Sequence, residues 1–282
     1  MYSGILNCKY TNRKLTILQN NSKIREIYLF RHGHSQANAE RNRKILFPKF
    51  CSFIRNSFGL SITLKLIRFI DTIRGYNNNY PLADENIPLE NLGKDQAELT
   101  GKILADKNII PDLILSSDYL RTRQTTDGIL NGFKIQTGKF LENRVLYSKL
   151  IIERSSGVEY GYPLSYYPVL FPDTNAMYQT TPKLDFRPPG GESIRDVRFN
   201  RIPELLNILQ HLEFKTLFII GHGVTNSTIV SLLTGEDIEN IRIGTPNLGV
   251  YRFTSDGASD KWILDPNFKN GKTIDPSIPF SG

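Results

Sequence analysis

Strand-length apolar runs alternate with helix-length patterns along this chain, and three of the runs break off into polar, chemistry-bearing residues. REIYLFRH (Arg25–His32), PDLILSS (Pro111–Ser117), KTLFIIGH (Lys215–His222) and GVYRFT (Gly249–Thr254) have the length and the Ile, Leu, Phe and Tyr content of strands. Between them, residues 92–107, 118–130, 192–212 and 224–235 read as helices, the last stopping at Gly235 as a helix carboxyl end does. Strand, helix, strand, helix dictates an α/β fold: a three-layer α/β/α arrangement with a mostly parallel central sheet covered on both faces. In such sheets a ligand sits beyond the carboxyl ends of the strands. Arg31, His32, Ser117 and His222 fall at those ends, so they are expected to line a pocket rim.

The residue types there suit one kind of ligand. LFRHGHSQAN (Leu29–Asn38) supplies a cation, an imidazole, a glycine and a helix start, with Ser35 placed to cap the helix. SSDYLRTRQT repeats the theme, with Ser117 or Asp118 as the expected cap and Arg121 one turn into the helix. Gly221–Gly223 (GHG) is the third instance. Two arginines, two imidazoles and backbone N–H groups beside glycines match a tetrahedral dianion such as phosphate. Binding alone would not require His32. A neutral imidazole nitrogen in line with phosphorus is a nucleophile, and a second, protonated imidazole with the arginines can stabilise the equatorial oxygens. A leaving alkoxide also needs a proton donor, for which Glu153 in IIERSSGVEYG is the best candidate.

With these residues in view, the chain resembles the histidine phosphatase superfamily, the group that includes cofactor-dependent phosphoglycerate mutases. The pattern R-H-G-x-[ST]-x-x-N is matched at Arg31, His32, Gly33, Ser35 and Asn38; a helix start at Leu89, Gly93, Gln96 and Ala97; S-x-x-x-R-[AT]-x-Q-T at Ser117, Arg121, Thr122, Gln124 and Thr125. An E-x-x-x-G loop follows at Glu153 and Gly157, P-G-G-E-S at Pro189–Ser193, and the second histidine at His222 with Gly223. The resemblance implies a phosphoglycerate mutase-like fold and a phosphoryl group transferred to His32. Arg31, Gly33, Ser35, Asn38, Arg121, His222 and Gly223 would hold it, Glu153 would protonate the leaving oxygen, and water would release phosphate. That route needs no metal and no organic cofactor.

Two positions depart from the family pattern. Glu159 and Tyr160 stand where many members carry Trp and Glu, which makes Glu159 a rival proton donor, and His34 stands where Glu or Gln is frequent. A mutase must clamp a small carboxylated bisphosphate with extra cations after the acid loop, yet residues 158–182 contain no Lys or Arg and many aromatics. A phosphomonoesterase acting on a small phosphorylated substrate is therefore the favoured reading; a phosphoglycerate mutase is the alternative, and a phospho-ligand binding module without turnover is the second.

The chain is read as a single domain over its 282 residues, with a core at about 25–255, a basic helical insert at about 41–82 and a tail from about 269. Its net charge of +7 has one source: residues 41–74 hold eight Lys or Arg and one acid, and the rest is balanced. A charge so concentrated does not describe a nucleic-acid-binding surface, so no nucleic-acid partner is expected. Within the insert, SITLKLIRFIDTIR places Ile62, Leu66, Phe69, Ile70 and Ile73 on one helical face, with Ser61 as cap and Gly75 as stop. The favoured reading is a cap helix packed on the domain; recruitment of anionic substrates and contact with an anionic membrane surface are the other two. Two separated cysteines, Cys8 and Cys51, exclude a disulfide scaffold or zinc site, and the amino-terminal stretch lacks signal-peptide order, so a cytoplasmic location is the default expectation.

Overall fold

Arg25–Arg31 (β1) is a strand because its Ile27–Phe30 run is apolar on both faces, and all four of those side chains are buried. In the computed structural model, residues 25–40, 44–74, 83–157, 162, 164–212, 214–255, 262–268 and 271–273 are described. In chain order, β1 is followed by helices α1 (Gln36–Glu40), α2 (Pro48–Phe58), α3 (Leu60–Ile73) and α4 (Asn91–Asp106), then β2 (Leu113–Ser117), α5 (Leu120–Thr137) and β3 (Val145–Ser148). Helices α6 (Tyr167–Leu170), α7 (Pro172–Thr180) and α8 (Ile194–Asp196) come next. A π-helical turn, Val197–Arg201, leads into α9 (Ile202–Gln210), β4 (Thr216–Gly221), α10 (Gly223–Thr234), β5 (Gly249–Ser255), β6 (Ile263–Leu264) and β7 (Lys272–Thr273).

Two compact units result. Of the described residues, those within Met1–Ser35, Pro88–Arg154 and Asp196–Gly282 make the first, and Gln36–Ile87 with Ser155–Arg195 make the second. The first is the three-layer sheet unit. Its strand order is β3-β2-β4-β1-β5-β6, with β7 also paired to β5; β3, β2, β4 and β1 run parallel. Side chains alternate across the sheet. Ile27, Leu29, Leu217 and Ile219 meet Leu205 and Leu209 of α9 and Ile229 of α10 on one face. Tyr28, Phe30, Phe218 and Ile220 meet Leu104 of α4 and Ile129 and Phe133 of α5 on the other.

The topology decides where the chemistry falls. Strand β4 lies between β1 and β2, pairing Arg31 with Gly221 and Ser116 with Ile220, so the carboxyl ends of all three are neighbours. The sheet is not parallel throughout: β5 runs antiparallel to β1, with Phe30 opposite Val250. A strand running that way begins where β1 ends, which carries the preceding loop, through Thr245 and Asn247, to the pocket side. The tail, read from sequence as a loop, contributes β7, whose Thr273 pairs with Gly249.

The second unit is helical. Its core gathers Cys51 of α2, Ile67 of α3 and Tyr166, Val169 and Leu170. Asp71 is buried there and accepts the Tyr166 hydroxyl at 3.0 Å on Oδ2, with Arg74 Nη1 3.5 Å from Oδ1. The packed face of α3 is therefore not the one the apolar spacing indicated. Thr63, Ile67 and Asp71 are buried, while Phe69 and Ile73 are 63% and 71% exposed. Helix α3 also starts one residue before Ser61, because Gly59, at φ 83°, breaks α2 from α3 and its carbonyl accepts the Thr63 hydroxyl at 2.9 Å. Gly75, the expected stop, lies outside the described residues. Among the described residues no helix is long and apolar enough to cross a membrane.

Candidate active site

The end of β1 turns sharply over α4, and glycine makes that turn feasible. A side chain at Gly33 would put its Cβ 2.6 Å from the Gly93 carbonyl oxygen, and one at Gly93 would come within 2.2 Å of the His34 carbonyl oxygen. Both glycines are thus required by close backbone approach. The turn is then lashed down by motif side chains. Gly33 N–H donates to Thr125 Oγ1 (3.0 Å) and His34 N–H to Gln96 Oε1 (3.3 Å). Glu90 N–H donates to the His34 carbonyl (3.0 Å), and Leu89 N–H to Gln124 Oε1 (2.7 Å). Asn247 Nδ2 donates to the carbonyls of His32 and Gly33, each at 3.1 Å.

Within this frame His32 is oriented by a short hydrogen bond between Nδ1 and the Gly33 carbonyl, at 2.7 Å. A carbonyl only accepts, so the proton sits on Nδ1 and Nε2 carries the lone pair. The ring is 4% exposed, and the His222 ring is fully buried with its centroid 5.3 Å away. His222 Nε2 lies 2.9 Å from Ser117 Oγ. Ser117 is thus engaged with the second histidine and does not cap α5: the residue at the cap position is Tyr119, because β2 continues through Ser117. Tyr119 packs edge-on to His222 at 5.2 Å, and the Arg121 guanidinium lies over the Tyr119 ring at 4.9 Å.

Burial, then the Arg121 and Arg31 guanidiniums, push the His32 imidazole well below its ordinary value, against the Gly33 bond, which raises it. Burial, then Arg121, His32 and Arg31, do the same to His222. Both rings are neutral near pH 7. Arg31 Nη1 is tied to the Thr245 carbonyl.

Glu153 joins the same site. Its Oε2 accepts from Val224 N–H (3.3 Å) and Oε1 from Thr225 N–H (3.4 Å) at the amino end of α10, and Oε1 also accepts Arg154 N–H at 2.8 Å. The point a Cβ would occupy on Gly223 lies 3.7 Å from Glu153 Oε2 and 3.8 Å from Arg31 Nε, so carboxylate and guanidinium flank this glycine. Arg201, on the π-helical turn, donates to the Ile152 carbonyl at 2.9 Å and holds the acid's backbone.

Arg31, His32, Gly33, Arg121, Glu153, His222 and Gly223 are thus brought together on the sheet unit. Ser35 is buried there, in an isolated bridge with Leu89. Asn38 lies on α1, in the second unit. Glu159 lies outside the described residues. Gly157 and the Pro189–Ser193 block interlock within the second unit, Ser155 N–H donating to Glu192 Oε2 at 3.0 Å and Glu192 N–H to the Ser155 carbonyl at 2.9 Å. Thr245, Asn247 and Arg201 were not anticipated from sequence, since isolated polar residues in a loop or helix carry no periodic or motif signal. Among the described residues, no three His, Cys, Asp or Glu side chains gather as a metal-binding group.

Known proteins share this framework. The chain matches the histidine phosphatase superfamily (branch 1) over residues 78–265, a span that begins after the Arg31–His32 turn. It is 28% identical over 178 residues to a 2,3-bisphosphoglycerate-dependent phosphoglycerate mutase of Rhizobium etli, covering 61% of this chain and 81% of that one. Among solved structures it superposes on a putative alpha-ribazole-5'-P phosphatase from Escherichia coli with a TM-score of 0.61 at 15% identity, over 89% of this chain and 98% of the other. A mycobacterial glucosyl-3-phosphoglycerate phosphatase gives 0.58 at 18% identity, over 89% and 100%. With two thirds of its length accounted for by one family, this chain belongs to the histidine phosphatase superfamily.

Proposed function

We propose that the protein is a phosphomonoesterase that works through a phosphohistidine at His32. The observation that carries this reading is the Nδ1 bond to the Gly33 carbonyl, which leaves Nε2 as an unprotonated nucleophile beside Arg31, Arg121 and His222. The Nε2 lone pair forms the N–P bond as the bond from phosphorus to the ester oxygen breaks, and Glu153, protonated at that stage, gives its proton to the leaving oxygen. Water then attacks phosphorus with Glu153 as base, the N–P bond breaks back to the imidazole, and inorganic phosphate leaves. The arginines and the Gly223 amide at the start of α10 face the charge that builds on the equatorial oxygens. Bound dianion supplies the negative charge that His222 lacks in the free protein, so proton uptake by that ring accompanies binding.

The relatives named as phosphoglycerate mutases support a second reading, transfer between positions of one substrate. The absence of Lys and Arg from residues 158–182 favours hydrolysis. The test is p-nitrophenyl phosphate turnover by the wild type and His32→Ala, with a loss of about a thousandfold or more expected. Acid-labile, base-stable label should appear on the wild type alone. Equal rates in the two proteins overturn the mechanism. Rapid exchange of 2- and 3-phosphoglycerate with bisphosphoglycerate, without phosphate release, makes the protein a mutase.

A further inference from the structure

The second unit carries a surface that the catalytic reading does not use. Of the sixteen large hydrophobic side chains that are exposed among the described residues, eight lie between Leu46 and Ile73. On α2, Phe50, Phe53 and Phe58 are exposed while Cys51 packs inward. On α3, Ile62, Phe69 and Ile73 follow at spacings of seven and four residues, which sets them in one stripe opposite the buried Thr63, Ile67 and Asp71. One residue, Gly59, joins the two helices. Exposed apolar side chains scattered singly need no explanation; a run of them on two consecutive helices does.

Charge identifies what covers the stripe. Lys49, Lys65 and Arg68 are exposed on the same two helices, and the one acid of the segment, Asp71, is turned into the core. Leu60, Ser61, Leu64, Lys65 and Arg68 also line a notch of about 390 Å³ on α3, with two cations at an apolar floor. A second copy of the chain is a poor occupant, because an isologous contact through this face would set like charges against each other. Aromatic and aliphatic side chains beside Lys and Arg are the composition of a helix lying in the plane of a lipid headgroup layer.

We propose that the exposed face of α2 and α3 docks the protein on an anionic lipid bilayer. The apolar side chains bed into the boundary between headgroups and acyl chains, and the cations meet lipid phosphates and carboxylates. The contact is peripheral and reversible, and it is independent of turnover at His32.

The experiment is vesicle flotation of the full chain. Vesicles of phosphatidylcholine alone are compared with vesicles in which about one third of the lipid is phosphatidylserine. Flotation with the anionic vesicles alone, weakened by high salt, is expected. Phe50→Ser/Phe53→Ser/Phe69→Ser should lower partitioning by about tenfold or more, and so should Lys49→Glu/Lys65→Glu/Arg68→Glu. Every substituted residue is exposed, so p-nitrophenyl phosphate turnover and circular dichroism should stay at wild-type level in both. Wild-type protein that stays unbound, or that binds both vesicles equally, overturns the proposal. So does sedimentation showing that the serine variant loses a dimer while vesicles bind neither protein.

Discussion

Glu153 is held by two backbone N–H groups at the start of α10 and by that of Arg154, and it flanks Gly223 opposite Arg31, so one carboxylate can serve as helix cap and as proton donor. The two roles separate by leaving group. A p-nitrophenolate departs without a proton, whereas an alkoxide does not. Glu153→Gln keeps acceptor oxygen and volume, so it should retain most turnover of p-nitrophenyl phosphate and lose about a hundredfold or more on an alkyl phosphate, read as kcat/KM on the two substrates. A uniform loss on both would assign Glu153 to positioning alone. The candidate acid was legible in the sequence; what holds it was not, because the α10 amide groups that bind Glu153 come from Val224 and Thr225, some seventy residues later.

At the scale of elements, the turn after β1 and the first turn of α4 are one construction, locked by the mutual approach of Gly33 and Gly93 and by Gln96 and Thr125. Gly93→Ala places a methyl 2.2 Å from a backbone oxygen that cannot swing away. It should cost about 1–3 kcal/mol in urea denaturation and lower kcat, since the displaced segment orients His32. The four main strands and the helices between them were legible because each buries apolar residues at its own period. Strand β3 was not: at the sheet edge, only Ser148 of its four residues is fully buried, and no alternation announces it. The packed face of α3 was misread for the converse reason. Ile62, Phe69 and Ile73 of its apolar stripe face outward while Leu66 packs on the helical core, and Asp71 reaches that core because the Tyr166 hydroxyl meets it there.

For the whole molecule, two buried neutral imidazoles make stability depend on pH. A histidine in the unfolded chain titrates near 6.5, while His32 and His222 hold out to lower pH in the fold. Below about 6.5 the unfolded chain therefore takes up protons that the native state refuses, and stability falls as pH falls, by up to about 1.4 kcal/mol per pH unit for each ring. Urea midpoints at about pH 7.5 and about pH 5.5 should show this decline. His32→Asn/His222→Asn should flatten it, and inorganic phosphate should offset it by favouring the charged rings.

The insertion of β4 between β1 and β2 has a last implication. The strand that joins β1 to β2 follows both of them in the chain, so any amino-terminal fragment stopping short of Thr216 has a gap in the middle of its sheet. Such a fragment presents two unpaired strand edges, those of β1 and β2 that β4 would fill. Truncation therefore removes His222 from the candidate site and creates a sticky polypeptide in the same stroke.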